Sequence, residues 1–220
     1  MVLLLVMAGW LFSLTLHEYA HARVAYMGGD VTVREKGYLS FNPLRYMDPV
    51  LSIVMPLVFV LAGGIALPGG LVYVRHDLLR SPGWSTGVSL AGPAANVACA
   101  LACAAPFVLG IAPESVYDAG AGWTALAYLG VLQVMAVVLN LLPVPPLDGF
   151  GAIEPHLPRE TRIALLPLRR YGMIAVFLVL WFVEPVNLAF FRFVATASHA
   201  IGIPLDFADA GREAMRAPSF

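Results

Sequence analysis

Charge is what this sequence has least of: Asp, Glu, Lys and Arg make up 12% of its 220 residues, about half the share usual in a soluble domain. A water-facing surface of ordinary size cannot be built from so few. The basic residues form no cluster interleaved with aromatics and the formal net charge is −1, so the electrostatic footprint of a nucleic-acid binder is missing and no nucleic acid is expected as a partner. Cysteine is nearly absent. Cys99 and Cys103 lie four apart in an apolar stretch and read as small packing residues on one helix face rather than as a metal or redox pair. Repeats, low-complexity tracts and linker-like stretches are lacking too, which predicts a single domain over residues 1–220.

What the chain has instead is apolar length. It is 60% hydrophobic with a mean hydropathy of +0.80, and a bilayer-spanning helix needs about 20 mostly apolar residues. Four stretches qualify, 1–27, 87–112, 123–143 and 171–194, and a fifth, 49–66, is marginal. The apolar start Met1–Leu16 has no basic leader and no small-residue cleavage pattern, and runs directly into His17-Glu18, so it reads as structure rather than as a signal peptide. The first helix should end at Gly28-Gly29. Strand-like alternation in Val31-Thr32-Val33 suggests a short membrane-edge hairpin or loop, and the mixed composition of Leu67–Ser85 a loop with a short strand around Leu71–Val74, so a small strand element is expected at the membrane edge. Asp48-Pro49 opens the marginal stretch, which Pro56 interrupts and Gly63-Gly64 closes. The last apolar region, Tyr171–Val183 with Val186–Leu205, forms one long or two short spans around Glu184-Pro185.

Within the first apolar helix stands His17-Glu18-Tyr19-Ala20-His21, the HExxH pattern. At 3.6 residues per turn, positions i and i+4 project from one face, so two imidazole nitrogens can take adjacent corners of a zinc tetrahedron. Glu18 lies about 100° round the helix, near enough to act on a metal-bound water. Three ionisable groups in an apolar helix each cost roughly 2.5 kcal/mol or more unless partnered, which weighs for a metal site and against an incidental polar cluster. A catalytic zinc usually has a third protein ligand. Asp148 is the best candidate, because it follows the break Pro143-Val144-Pro145-Pro146 and Gly149 removes bulk beside it; alone, it equally suits a helix N-cap. Asn140 and Asn96 are suited to hydrogen bonding between helices. His76, His156 and His199 read as exposed or capping residues, with an outer role beside the metal open to His156.

These segments give the chain a family likeness. It resembles the site-2 protease family of intramembrane metalloproteases, through His17-Glu18-Tyr19-Ala20-His21 and through Asn140-Leu141-Leu142-Pro143-Val144-Pro145-Pro146-Leu147-Asp148-Gly149, which is similar to that family's NxxPxPxLDG pattern. Asn42-Pro43-Leu44-Arg45, Asp48-Pro49 and Ala91-Gly92-Pro93-Ala94-Ala95-Asn96 support it, and together they cover roughly residues 1–172. The resemblance implies one zinc ion held by His17, His21 and Asp148, Glu18 as general base, and Asn140 near the metal, holding the substrate or the developing oxyanion. The 220 residues depart from the many members that carry a PDZ-like or nucleotide-sensing domain, for which they have no room, and a minimal core is expected. The segment Gly63-Gly64-Ile65-Ala66-Leu67-Pro68 departs from the aromatic-proline pattern of one subgroup, which leaves the substrate-contacting loop open.

The expected fold is an all-α integral membrane protein with about four to six transmembrane helices, a re-entrant segment and a small membrane-edge β element. The expected reaction is hydrolysis of a transmembrane or membrane-proximal peptide. Two rivals stand beside it: a zinc-binding homologue that does not cleave, which would have no need of Glu18, and a metal-ion transporter, which would tend to show internal repeats. If one zinc joins His21 to Asp148, an even number of crossings separates them, so 49–66 should be re-entrant. Arg23, Arg34, Lys36, Arg45, Arg75, Arg80, Arg159, Arg162, Arg169 and Arg170 then face the cytoplasm and the acidic connection with Glu114 and Asp118, which has no Lys or Arg, faces out. The expected location is a bacterial or archaeal plasma membrane, as a multi-pass protein with its site toward the cytoplasmic side.

Overall fold

The computed structural model describes residues 1–42 and 72–216, and all regular structure among them is helical. Val2–Gly28 form α1, a run with no proline and a single glycine, Gly9, before its end. It stops where Gly29 takes φ 122°. The amides of Gly29 and Asp30 turn back to the carbonyls of Tyr26 (3.2 Å) and Ala25 (3.0 Å), closing the helix with the paired bonds of a Schellman cap.

Beyond it the structure corrects the β expectation. Thr32–Glu35 is a short helix, α2. Asp30 Oδ1 accepts hydrogen bonds from the backbone amide of Thr32 at 3.0 Å and from its hydroxyl at 2.6 Å, a local side-chain bond that starts a turn rather than an extended strand. Val33 is fully buried beside Ala22, Ala25 and Val88. Val72–Val74 belong to no strand among the described residues; the backbone amides on either side of Tyr73 and Val74 go to carboxylates instead, as set out below. The stretch 49–66, with Asp48-Pro49, Pro56 and Gly63-Gly64, lies outside the described residues, as does Leu71.

Pro82–Val108 form α3, entered through extended Ser81 with Pro82 in the first turn, where a missing amide costs nothing. Ala121–Asn140 form α4, the most thoroughly buried of the long helices. After a turn through Pro143, Pro145 and Pro146, Asp148–Ile153 form α5. Then come α6 (Arg159–Leu165), α7 (Leu168–Phe182), α8 (Glu184–Ala200) and α9 (Leu205–Arg216). α1, α3, α8 and α9 all pack against α4, and α5 lies against α3. The core runs from Val6 and Trp10 through Leu132 and Leu139 to Ile203 and Phe207.

α1, α3 and α4 are long and apolar enough to cross a membrane, and a fourth span results only if α6 and α7, bent by 61°, are counted together. The described residues thus hold three to four candidate spans, against about four to six expected for the whole chain. The stretch 171–194 is not one helix: α7 has 15 residues and α8 has 17, parted at Val183, because Pro185 has no amide to continue the ladder and its ring disfavours helix just before it. The apolar run also ends before Leu205, which instead opens α9. This last helix buries Phe207, Ala208, Gly211 and Met215 and exposes Asp206, Asp209 and Arg212. At the other end of the core, the Arg80 amide donates to the Gly28 carbonyl at 2.9 Å, so α3 begins beside the end of α1.

Candidate metal centre

His17, Glu18 and His21 are buried on the last turns of α1, where the helix faces α3. Spacing by four brings the two imidazoles together edge to face, with an interplanar angle of 79° and their Nε2 atoms 3.0 Å apart. Asp148 opens α5 and reaches the same point, its Oδ2 3.3 Å from His17 Nε2 and its Oδ1 3.5 Å from His21 Nε2. Asp148 is the first helical residue and Leu147 holds the cap position without a side-chain bond, so the alternative N-cap reading is not what the structure shows. The close approach of Gly149 to the Leu141 carbonyl, into which a Cβ would run, lets α5 fold back across the end of α4.

The outer nitrogens of both rings settle their tautomers. His21 Nδ1 donates to the Val88 carbonyl at 2.6 Å, and a carbonyl can only accept. His17 Nδ1 donates to Asn96 Oδ1. Each neutral ring therefore turns a bare lone pair at Nε2 toward the other. Asp148 Oδ2 is buried without a hydrogen-bond partner. Two imidazole nitrogens and a carboxylate thus converge, and among the described residues this is the one group of His, Cys, Asp or Glu whose ligand atoms gather within 4.8 Å. Two imidazoles and a carboxylate suit zinc, whose tetrahedron with bonds near 2.0–2.1 Å has edges of about 3.3 Å. Gly92 of α3 completes the cradle: a Cβ there would collide with Nε2 of both histidines.

Glu18, the residue between the ligands, is held from the other side. Its Oε2 accepts the Val72 amide at 3.0 Å. The segment carrying Val72 is tied down at three further points: the Tyr73 carbonyl accepts from Lys36 Nζ at 3.1 Å, the Arg75 amide donates to Asp30 Oδ2 at 2.8 Å, and Arg80 bonds Gly28 as above. Asp30 is fully buried.

Asn140 is buried and lines a small cavity with Trp10, Ser13, Leu14, His17, Asn96 and Ala136. His76 and His156 are not at the centre. His76 Nδ1 is 2.6 Å from Ser85 Oγ, and burial lowers its pKa. His156 Nε2 is 2.9 Å from Thr86 Oγ1, whose hydroxyl donates to the Ala152 carbonyl at 2.7 Å. His199 is exposed on α8. Asn96 does bond between helices, as expected, but also to a candidate ligand. Ser13, Gln133, Asp30 and Val72 were not singled out from the sequence. For Gln133 a signal existed, since a polar side chain amid an apolar helix is costly without a partner; the role of Val72 rests on its backbone, which leaves no mark in sequence.

Comparison with known proteins finds close relatives. The chain is 44% identical over 209 residues, 91% of its length and 78% of the relative's, to a Mycolicibacterium smegmatis protein named "Putative zinc metalloprotease Rip2". The same name is carried by a Mycobacterium tuberculosis protein, 43% identical over 213 residues, 96% of this chain and 79% of that one. A Bacillus subtilis protein named "Putative zinc metalloprotease YwhC" is 35% identical over 180 residues, 80% of this chain and 78% of that one. No family model matches the chain, and no solved structure matches it.

Proposed function

The chain belongs to the site-2 protease family of zinc metalloproteases, and from that premise we propose that it is a multi-pass membrane endopeptidase, one catalytic domain over residues 1–220, that hydrolyses peptide bonds of transmembrane or membrane-proximal substrates with one zinc ion. The observation that carries this reading is the convergence of His17 Nε2, His21 Nε2 and Asp148 on one point, with Glu18 beside it, among helices apolar enough to cross a bilayer. His17, His21 and Asp148 would hold the metal. When bound, zinc supplies Lewis acidity, polarising a carbonyl and making water more acidic. Glu18 then accepts the proton of the attacking water and returns it to the amine nitrogen as the C–N bond breaks. The Val72 amide keeps the Glu18 carboxylate aimed while it changes charge. Asn140, in the cavity beside His17, is placed to donate an amide hydrogen to the substrate or to the developing oxyanion.

The bilayer is the surrounding this reading requires. Leu4, Phe12, Leu101, Ile174 and Phe182 are more than half exposed, and lipid would cover them. Orientation follows from charge. The end of α1, the start of α3 and Asp148 share one end of the bundle, together with Arg34, Lys36, Arg75, Arg80, Arg159 and Arg162, whereas the connection from α3 to α4 carries Glu114 and Asp118 and no basic residue. By the positive-inside rule the metal end faces the cytoplasm, which agrees with a re-entrant reading of 49–66.

Glu18→Gln tests the assignment. The amide is nearly isosteric but cannot take a proton, so cleavage of a membrane-peptide reporter should fall about a hundredfold to ten-thousandfold with zinc per chain unchanged. Turnover above about a tenth of wild type would contradict a general base at this position.

A further inference from the structure

Behind His17 runs a chain of side-chain hydrogen bonds buried between α1, α3 and α4. His17 Nδ1 donates to Asn96 Oδ1. Asn96 Nδ2 donates to Gln133 Oε1 at 2.7 Å, Gln133 Nε2 donates to Ser13 Oγ at 2.8 Å, and the Ser13 hydroxyl donates to the Trp10 carbonyl at 2.9 Å. Gln133 is 0% exposed and Ser13 and Asn96 are buried, and every link is a direct side-chain contact.

Two of these links are primary amides, each of which can turn end for end with little change of shape. Inverting Asn96 would aim its NH2 group at His17 Nδ1, leaving the ring to carry its proton on Nε2, where a metal ligand must have a lone pair. Something has to choose the orientation, and the chain's far end does. A backbone carbonyl only accepts, so the Ser13 hydroxyl spends its one proton on Trp10 and offers Gln133 an acceptor. Gln133 must then present its NH2 to Ser13 and its carbonyl to Asn96. Asn96 must present its NH2 to Gln133 and its carbonyl to His17.

We propose that Ser13 and Gln133 are positioning residues that hold His17 in the Nδ1–H tautomer: they pass the polarity of the Trp10 carbonyl through Asn96 to the ring and so keep Nε2 open for metal. The inference rests on the zinc reading of His17, His21 and Asp148. His21 has no such chain, since the Val88 carbonyl fixes its tautomer directly. The two ligands should therefore respond differently to the same substitution.

The test uses full-length protein in detergent, labelled with 15N in the histidine rings, and reads two quantities: the His17 tautomer in chelator-treated protein at alkaline pH, and zinc affinity by competition with a chromogenic chelator. The His17 signals are those missing from His17→Ala. Wild type should show a protonated Nδ1 and a bare Nε2. Gln133→Met, which removes both bonds at similar volume, should give mixed His17 tautomers, an unchanged His21, and zinc affinity lower by about tenfold to a hundredfold. Gln133→Glu, which keeps an acceptor toward Asn96 in either protonation state, should restore the single tautomer and bring affinity within about threefold of wild type. Ser13→Ala removes one oxygen far from the metal and reads the same way as Gln133→Met should that variant not purify folded. A single His17 tautomer in both Gln133→Met and Ser13→Ala, or a Glu variant as impaired as the Met variant, would overturn the proposal. Wild-type protein that binds no zinc would instead overturn the metal reading, and the tautomer result would still decide the relay.

Discussion

α1, α3 and α4 bury Ser13, His17, Glu18, His21, Asn96, Gln133 and Asn140 and show Leu4, Phe12, Val97 and Leu101 to the outside. α7 is as apolar on its outer face, with Ile174, Leu178 and Phe182 exposed, and α8 shows Phe193 beside Arg192 and His199, but what the pair buries is Val176, Leu180, Phe190 and Val194, with Ser198 near the end of α8 as the polar exception. Where the outer solvent is hydrocarbon, apolar character does not tell inside from outside. Polar groups do, because only the interior offers them partners. By this criterion the three long helices enclose a working interior, and the C-terminal pair forms a flank that supports it.

Substitutions should divide along the same line. The largest effects belong at the point where α1, α3 and α5 meet. Asp148→Ala removes a candidate ligand, and Gly92→Ala puts a methyl where both Nε2 atoms lie; each should cut zinc retention at least about tenfold, measured as zinc per chain after purification. Gly92→Ala is the sharper of the two, since alanine is the better helix former by about 1 kcal/mol, so the helix should survive while metal is lost. Retained zinc in both would break the comparison.

A smaller effect is expected where the interior meets the segment 72–75. In Asp30→Asn the Thr32 bonds can persist through the amide oxygen, but an NH2 group then faces the Arg75 amide, donor against donor. Loss of a buried hydrogen bond of about 1–1.5 kcal/mol corresponds to roughly a tenfold fall in turnover, with zinc per chain unchanged. Loss of zinc would show that Asp30 holds the ligands rather than the Val72 segment. Smallest of all, Leu178→Ala on the outer face of α7 should change stability by less than about 0.5 kcal/mol and leave turnover within about twofold. A large loss there would mean that the flank takes part in the reaction.

Much of the interior was legible in the sequence because helical spacing is rigid. His17 and His21 had to share a face, and the broken segment after α4 was a plausible carrier for Asp148; the structure brings all three together. The end of α1 at Gly28-Gly29 was readable for a similar reason, since glycine relieves the positive φ of the cap. Alternation misled at Val31-Thr32-Val33, where the Asp30 carboxylate bonds the amide two residues on and turns the chain into a helix. At 171–194 hydropathy alone left one long span or two short ones open, and the break falls where Glu184-Pro185 had marked it, because Pro185 lacks an amide. The relay through Gln133 and Ser13 joins residues 120 apart, and only the packing of α4 against α1 makes them neighbours.

The most direct measurement is cleavage of a membrane-peptide reporter by the detergent-purified protein before and after treatment with a zinc chelator, followed by addition of zinc alone. The account predicts that cleavage is lost on chelation and returns with zinc, and that Glu18→Gln stays inactive throughout although it rebinds the metal. Cleavage that persists at the wild-type rate in zinc-free protein would contradict it.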